Sequence, residues 1–161
     1  MAAYIKFGDI EGECEDTDHE GWVELNSISQ LVKNEIPEGA SGAQRSRSTP
    51  VCSDIEINKK TDASTPKLME KVLLGEPIPE VTIHLCQTMG KKKPYLVFKL
   101  TAVQITSVSF SDGVAGDPTE DITFSLGTIV WTYTKFDKET FAPQGDVVGG
   151  WDVPAGVSKS S

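Results

Sequence analysis

Alternation is the feature that most constrains this chain. Ile122, Phe124 and Leu126 alternate with Thr123 and Ser125, and Ile129, Trp131 and Tyr133 alternate with Val130, Thr132 and Thr134. Successive side chains of a strand point to opposite faces, so a period of two spells β-strands with one face buried. The same pattern sets Ile55 and Ile57 against Glu56 and Asn58, and Val81, Ile83 and Leu85 against Thr82, His84 and Cys86. Tyr4–Phe7 and Trp22–Ile28 read as further short strands. Tyr95–Leu100 is apolar almost throughout, as expected of a strand buried on both faces or lying at an interface. In Val103–Phe110 the apolar phase slips between Ile105 and Val108, and a β-bulge explains such a slip.

One helix is well marked. Thr65 can cap it, Pro66 suits its first position and Gly75 can close it. Leu68, Val72 and Leu73 are expected on one apolar stripe. A helix this short does not stand alone in water, so it must dock on a sheet. The chain therefore reads as mainly β: a barrel or sandwich of short antiparallel strands with one small flanking α-helix.

Residues 31–53 stand apart as a long extended loop, with Pro37, Gly39, Gly42 and the polar run Gln44-Arg45-Ser46-Arg47-Ser48-Thr49-Pro50. Loops of that length inside a compact domain are usually functional or disordered. Residues 111–119 have turn composition. A single domain over 1–154 is expected, followed by a flexible tail over 155–161. No internal repeat is visible.

Charge narrows the function classes. The 161 residues carry 24 acids and 15 bases, a net charge of -9, and residues 1–30 hold eight acids against one base, Lys6. Nucleic-acid binding is disfavoured, because neutralising phosphates takes a basic surface. No apolar stretch approaches the ~18 residues of a membrane span. No basic stretch followed by an apolar one marks the N-terminus, so a cytoplasmic protein or export by a signal-less route is expected.

The chemical motifs are sparse. Asp16-Thr17-Asp18-His19-Glu20-Gly21 resembles the first half of a calcium loop, but the twelfth position is Ser27, so a solvated acidic turn is the plainer reading. His84 and Cys86 share a strand face, yet no third ligand is spelled nearby, and ordinary packing is expected. Cys14, Cys52 and Cys86 read as reduced thiols. The turn Gly90-Lys-Lys-Lys-Pro94 is a solvated hairpin turn or a contact for the acidic segment of a neighbouring copy. No catalytic group, metal or cofactor is expected. Two other readings stay open. One is a monomeric β-sandwich ligand-binding module using Trp22, Trp131 and Trp151 as a stacking platform; the other is a hydrolase using distant acids or His84 and Cys86.

Three blocks together carry a resemblance. They are Ile5-Lys-Phe-Gly-Asp-Ile-Glu-Gly-Glu13 with His19 and Gly21-Trp-Val-Glu-Leu-Asn-Ser-Ile-Ser-Gln30; Asp62-Ala-Ser-Thr-Pro66 leading to Leu68 and Gly75; and Glu120-Asp-Ile-Thr-Phe124 with Ile129-Val-Trp-Thr-Tyr133 and Gly149-Gly-Trp-Asp152. Their order and spacing resemble the Hcp family, the haemolysin-coregulated tube proteins of type VI secretion. Gln30 stands where the family has an aromatic residue, and the 31–53 loop is individual to this chain. The resemblance implies a β-barrel whose copies form homohexameric rings that stack into a secreted inner tube. It implies sheath, spike and baseplate proteins and small effector proteins as partners. On the family pattern Ser27 and Ser29 line the lumen as cargo contacts. The loop residues Gln44, Arg45, Arg47 and Thr49 are expected to serve ring stacking, and Tyr95, Val97 and Phe98 the subunit interface.

Overall fold

The computed structural model describes residues 2–39, 41–42, 48–88, 92–112 and 116–160. Six strands close into an antiparallel barrel: β1 (Ala2–Phe7), β2 (Val23–Ser29), β5 (Ile55–Lys60), β8 (Thr119–Ser125), β7 (Pro94–Ser111) and β6 (Ile78–Cys86). The pairing of β7 with β8 makes the closure, so the architecture is a barrel and not a sandwich. Outside it β9 (Thr128–Phe136), β10 (Pro143–Asp152) and β11 (Val157–Ser158) extend the sheet as a wing.

The alternation read from the sequence is the buried face of the barrel and of β9 beside it. Ile5, Phe7, Ile55, Ile83, Leu100, Ile122, Phe124 and Ile129 are fully buried, with Phe7 set edge-on to Phe124 at 6.0 Å. The stretches expected as two strands, Tyr95–Leu100 and Val103–Phe110, are one strand of 18 residues. Its first half pairs with β6 and β9 and its second with β8. The change of partner follows Ala102, held at a left-handed φ of 51°. The register shift between Ile105 and Ser107 is the expected bulge.

Helix α1 (Thr65–Leu74) packs beside β7. Its N-cap is Ser64, one residue before the expected Thr65, and the Asp62 carboxylate accepts the Ser64 amide at 3.0 Å. Thr65 is instead turned inward: its hydroxyl donates to Glu120 Oε2 at 2.9 Å and accepts from Lys59 Nζ at 3.2 Å. Gly75 closes the helix at φ 67°, a conformation that needs no side chain. Leu68 is fully buried, but Leu73, expected on the same stripe, is 86% exposed. It follows Leu68 by five residues, which turns it well away from the docked face.

Two expectations change shape. The base of the 31–53 loop is an antiparallel ribbon, in which β3 (Val32–Glu35) pairs with β4 (Thr49–Cys52). Gln30 ties that ribbon to the wing: its carbonyl accepts from Trp131 Nε1 at 3.3 Å, and its amide donates to Cys52 Sγ at 3.5 Å. The tail expected to fray from 155 pairs with β10 instead, and the Lys159 amide donates to the Gly150 carbonyl at 3.0 Å.

Candidate functional site

Three regions carry the polar and unpartnered groups from which function can be argued. The first is a concave face on the outside of the barrel, spanning β2, β5, β8 and the second half of β7. The register that sends Ile55, Ile57, Ile122 and Phe124 inward sends Glu56, Asn58, Asp121 and Thr123 outward. With Ser27, Ser29, Ser107 and Ser109 they line a shallow hollow of about 440 Å³. A ladder of side-chain bonds crosses it: Asn26 donates to Asn58 at 2.8 Å, and Asn58 donates to Asp121 at 2.8 Å. Ser27 and Ser29 both lie exposed on this face, contributed by β2.

The second region is the wing. Among the described residues β11 pairs with β10 only at Trp151 and Asp152, and Lys159 reaches Gly150, so there the run from Pro143 to Gly149 is bonded on one side alone, to β9. Val147, Val148 and Tyr133 are 55%, 49% and 45% exposed there. An edge strand with unpaired amides and apolar side chains is a template for pairing with another chain. Under the ribbon, Val32, Pro50, Val51, Cys52, Trp131 and Trp151 line an apolar slot of about 350 Å³. Trp22 sits elsewhere, against the two histidines, so the three tryptophans share no platform.

The third region is a knot of ionisable groups on the outer face of β1 and β6. The acidic turn 16–21 is not simply solvated. His19 is 1% exposed, stacked on Tyr4 at 4.2 Å and edge-on to Trp22 at 4.9 Å. Asp16 Oδ1 accepts from its Nδ1 at 3.0 Å, and its Nε2 faces His84 Nδ1 at 2.9 Å. Cys86 Sγ lies 3.9 Å from the same Nε2. The His19 bond, then the Lys92 bond, holds Asp16 down to about 2. Burial, then the charges of His19 and Lys99, pulls His84 down to about 4. Burial, with the Asp16 and Asp18 carboxylates adding to it, pushes Cys86 up to about 11. A thiol held that high stays protonated at neutral pH, which makes it a poor nucleophile. Among the described residues no group of three or more His, Cys, Asp or Glu is arranged to hold a metal ion. Local spacing held no hint that His19 would reach His84, because the contact spans 65 residues.

The remaining sequence candidates fall as follows. Thr49 is exposed and pairs with Glu35 in the ribbon, while Gln44, Arg45 and Arg47 lie outside the described residues. Tyr95, Val97 and Phe98 are half-buried in β7 between β6 and β9. Tyr95 meets Tyr133 edge-on at 6.3 Å, and Phe98 packs on the core. Lys92 reaches the acidic segment of its own chain, at 3.1 Å from Asp16 Oδ2. Among the described residues no helix is long and apolar enough to cross a membrane.

Comparison with known proteins gives one consistent answer. The family described as type VI secretion system effector, Hcp, matches over residues 4–133. A solved type six secretion system protein superposes with a TM-score of 0.89 at 24% identity, covering 98% of this chain and 99% of its own. A type VI secretion system effector from Yersinia pestis gives 0.74 at 25% identity, over 93% and 98%. Hcp1 from Salmonella typhimurium gives 0.79 at 19%, over 98% of each. No curated protein sequence matches.

Proposed function

The chain belongs to the Hcp family of type VI secretion, and from that membership we propose that six copies close into a ring, that rings stack into a tube, and that the tube is secreted. The family is one of structural secretion proteins rather than enzymes. The activity of such a protein is its assembly, with sheath, spike and baseplate proteins as the surrounding partners.

The observation that carries the ring is the open edge of β10, with Val147 and Val148 exposed along it. A closed ring needs two different patches that meet, one from each neighbour. An uncovered strand edge supplies one of them, and β7 around Tyr95, Val97 and Phe98 borders the same wing. The test is mass in solution together with negative-stain imaging. Annular particles near six times 17.4 kDa are expected. A lone compact particle at every concentration, with no annulus, refutes the ring.

Stacking falls to the ribbon and the segment it carries, with Gln44, Arg45, Arg47 and Thr49 as contacts. An isolated two-stranded ribbon is marginal in water, so contact with a neighbouring ring would stabilise it. Deleting residues 38–49 is expected to leave rings that do not form tubes; normal tubes refute this role. The lumen falls to the concave polar face, where Ser27 and Ser29 would touch small effectors. Replacing both with bulky residues should cut retention of a co-expressed effector while ring mass stays unchanged. Undiminished retention removes the assignment.

A further inference from the structure

We propose that the His19–His84 contact is a proton-operated latch, which fastens the acidic segment between β1 and β2 onto the barrel and releases it when the histidine pair takes its last proton. The contact has four ring nitrogens to share its protons among. His19 Nδ1 must carry one, because it donates to the Asp16 carboxylate. One more occupies the 2.9 Å gap between His19 Nε2 and His84 Nδ1, since a hydrogen bond needs one donor and one acceptor. A third puts the charge on His19, against the Asp16 carboxylate, with Nε2–H donating to a still-neutral His84 that carries its one proton on the far nitrogen. A fourth sets two N–H groups head to head across 2.9 Å, and the contact must break. The two rings are therefore coupled through that one contact.

The surroundings make that last proton decisive. His84 lines an open hollow with Lys6, Trp22, Glu80 and Thr82, so protons reach it from solvent. His19 lies behind it, buried under Tyr4 and Trp22. The charged and titratable groups facing the pair are Tyr4 and Lys6 from β1, Cys14, Asp16 and Asp18 from the segment, Glu80 and Cys86 from β6, and Lys92 and Lys99 from β7 and its approach. The charge of Lys99 opposes further positive charge on His84. Asp16 stays ionised well below pH 4, so it does not open first. The segment's backbone bonds run within itself (Gly12 to Gly21, Gly21 to Cys14, Cys14 to Trp22), so once the histidines part these turns can open without breaking a bond of the barrel.

The sign follows from His84. Its folded value is depressed from 6.5 to about 4, so the latch is fully engaged above pH 6.5 and is lost as pH falls through that window. Discounted for a half-exposed ring, opening should rise about ten- to a hundred-fold between pH 7 and pH 4. The test is hydrogen exchange by mass spectrometry at those two pH values, corrected for intrinsic rates. Peptides over 9–22 are expected to lose protection by that factor while β5, β7 and β8 keep theirs. His84→Gln keeps an amide donor without titrating, so its 9–22 segment should show no such pH step; His84→Asn serves equally if the first variant folds poorly. Unchanged protection of 9–22 at pH 4, equal loss in the barrel strands, or the same step in both variants overturns the latch.

Discussion

Lys59 and Glu120 form an ion pair with no exposed side-chain surface on either partner and an N···O distance of 2.6 Å. Lys59 also donates to Asp62 at 2.9 Å, to Thr65 and to the Lys60 carbonyl, so its ammonium protons are shared among four acceptors and tie the helix start to β5 and β8. Glu120 is less well served: Oε2 receives Lys59 and Thr65, while Oε1 has no partner. Lys59→Met keeps most of the stem and removes the charge, stranding a carboxylate in the core. Breaking a buried pair from one side costs about 3–5 kcal/mol. At roughly 2–4 °C per kcal/mol for a domain of this size, melting should fall by about 6–20 °C. The assay is urea and thermal unfolding at one fixed protein concentration, since any self-assembly would add its own stability. The double variant Lys59→Met with Glu120→Leu leaves no buried charge of the pair and should recover most of the loss. A single variant that loses less than about 1 kcal/mol, or a double that merely adds the two losses, refutes the coupling.

Four further outcomes follow from the packing and the charges. Gly12→Ala puts a methyl 2.5 Å from the Trp22 carbonyl oxygen, so the acidic segment should be strained by about 1–3 kcal/mol, seen as faster proteolysis within 9–22. Leu68→Ala should cost about 2–5 kcal/mol in urea unfolding. By contrast Leu73→Ala, at an exposed site, should stay within about 0.5 kcal/mol. Asp16 is held below its ordinary 3.8, so what it contributes is whole above that pH and disappears as pH falls through about 2. Unfolding curves of the protein and of Asp16→Asn should therefore differ at pH 5 and converge toward pH 2.

Much of the barrel was legible because its strands keep a strict period, and even the bulge after Ile105 announced itself as a slip of phase. The buried ion pair left a signal too. Lys59 follows Ile55 and Ile57 in the inward phase, and Glu120 precedes Ile122 and Phe124 in theirs. Two opposite charges in phase with core residues are partners until shown otherwise. β10 left no such trace: Gln144-Gly-Asp-Val-Val-Gly-Gly150 has an edge to pair and no face to bury, so nothing alternates. The ribbon was hidden for the same reason, being exposed along all of β3. The histidine contact depends on closure of the barrel across β1 and β6, and local spacing carries no record of that.

The 18-residue strand β7 lies in the barrel wall and in the wing at once. Tension applied to the flange thus passes into the cylinder along covalent bonds and not only across side-chain packing. A neighbour gripping β10 would tug on the staves themselves, so the joints of any larger structure could be strained without prying a hinge apart.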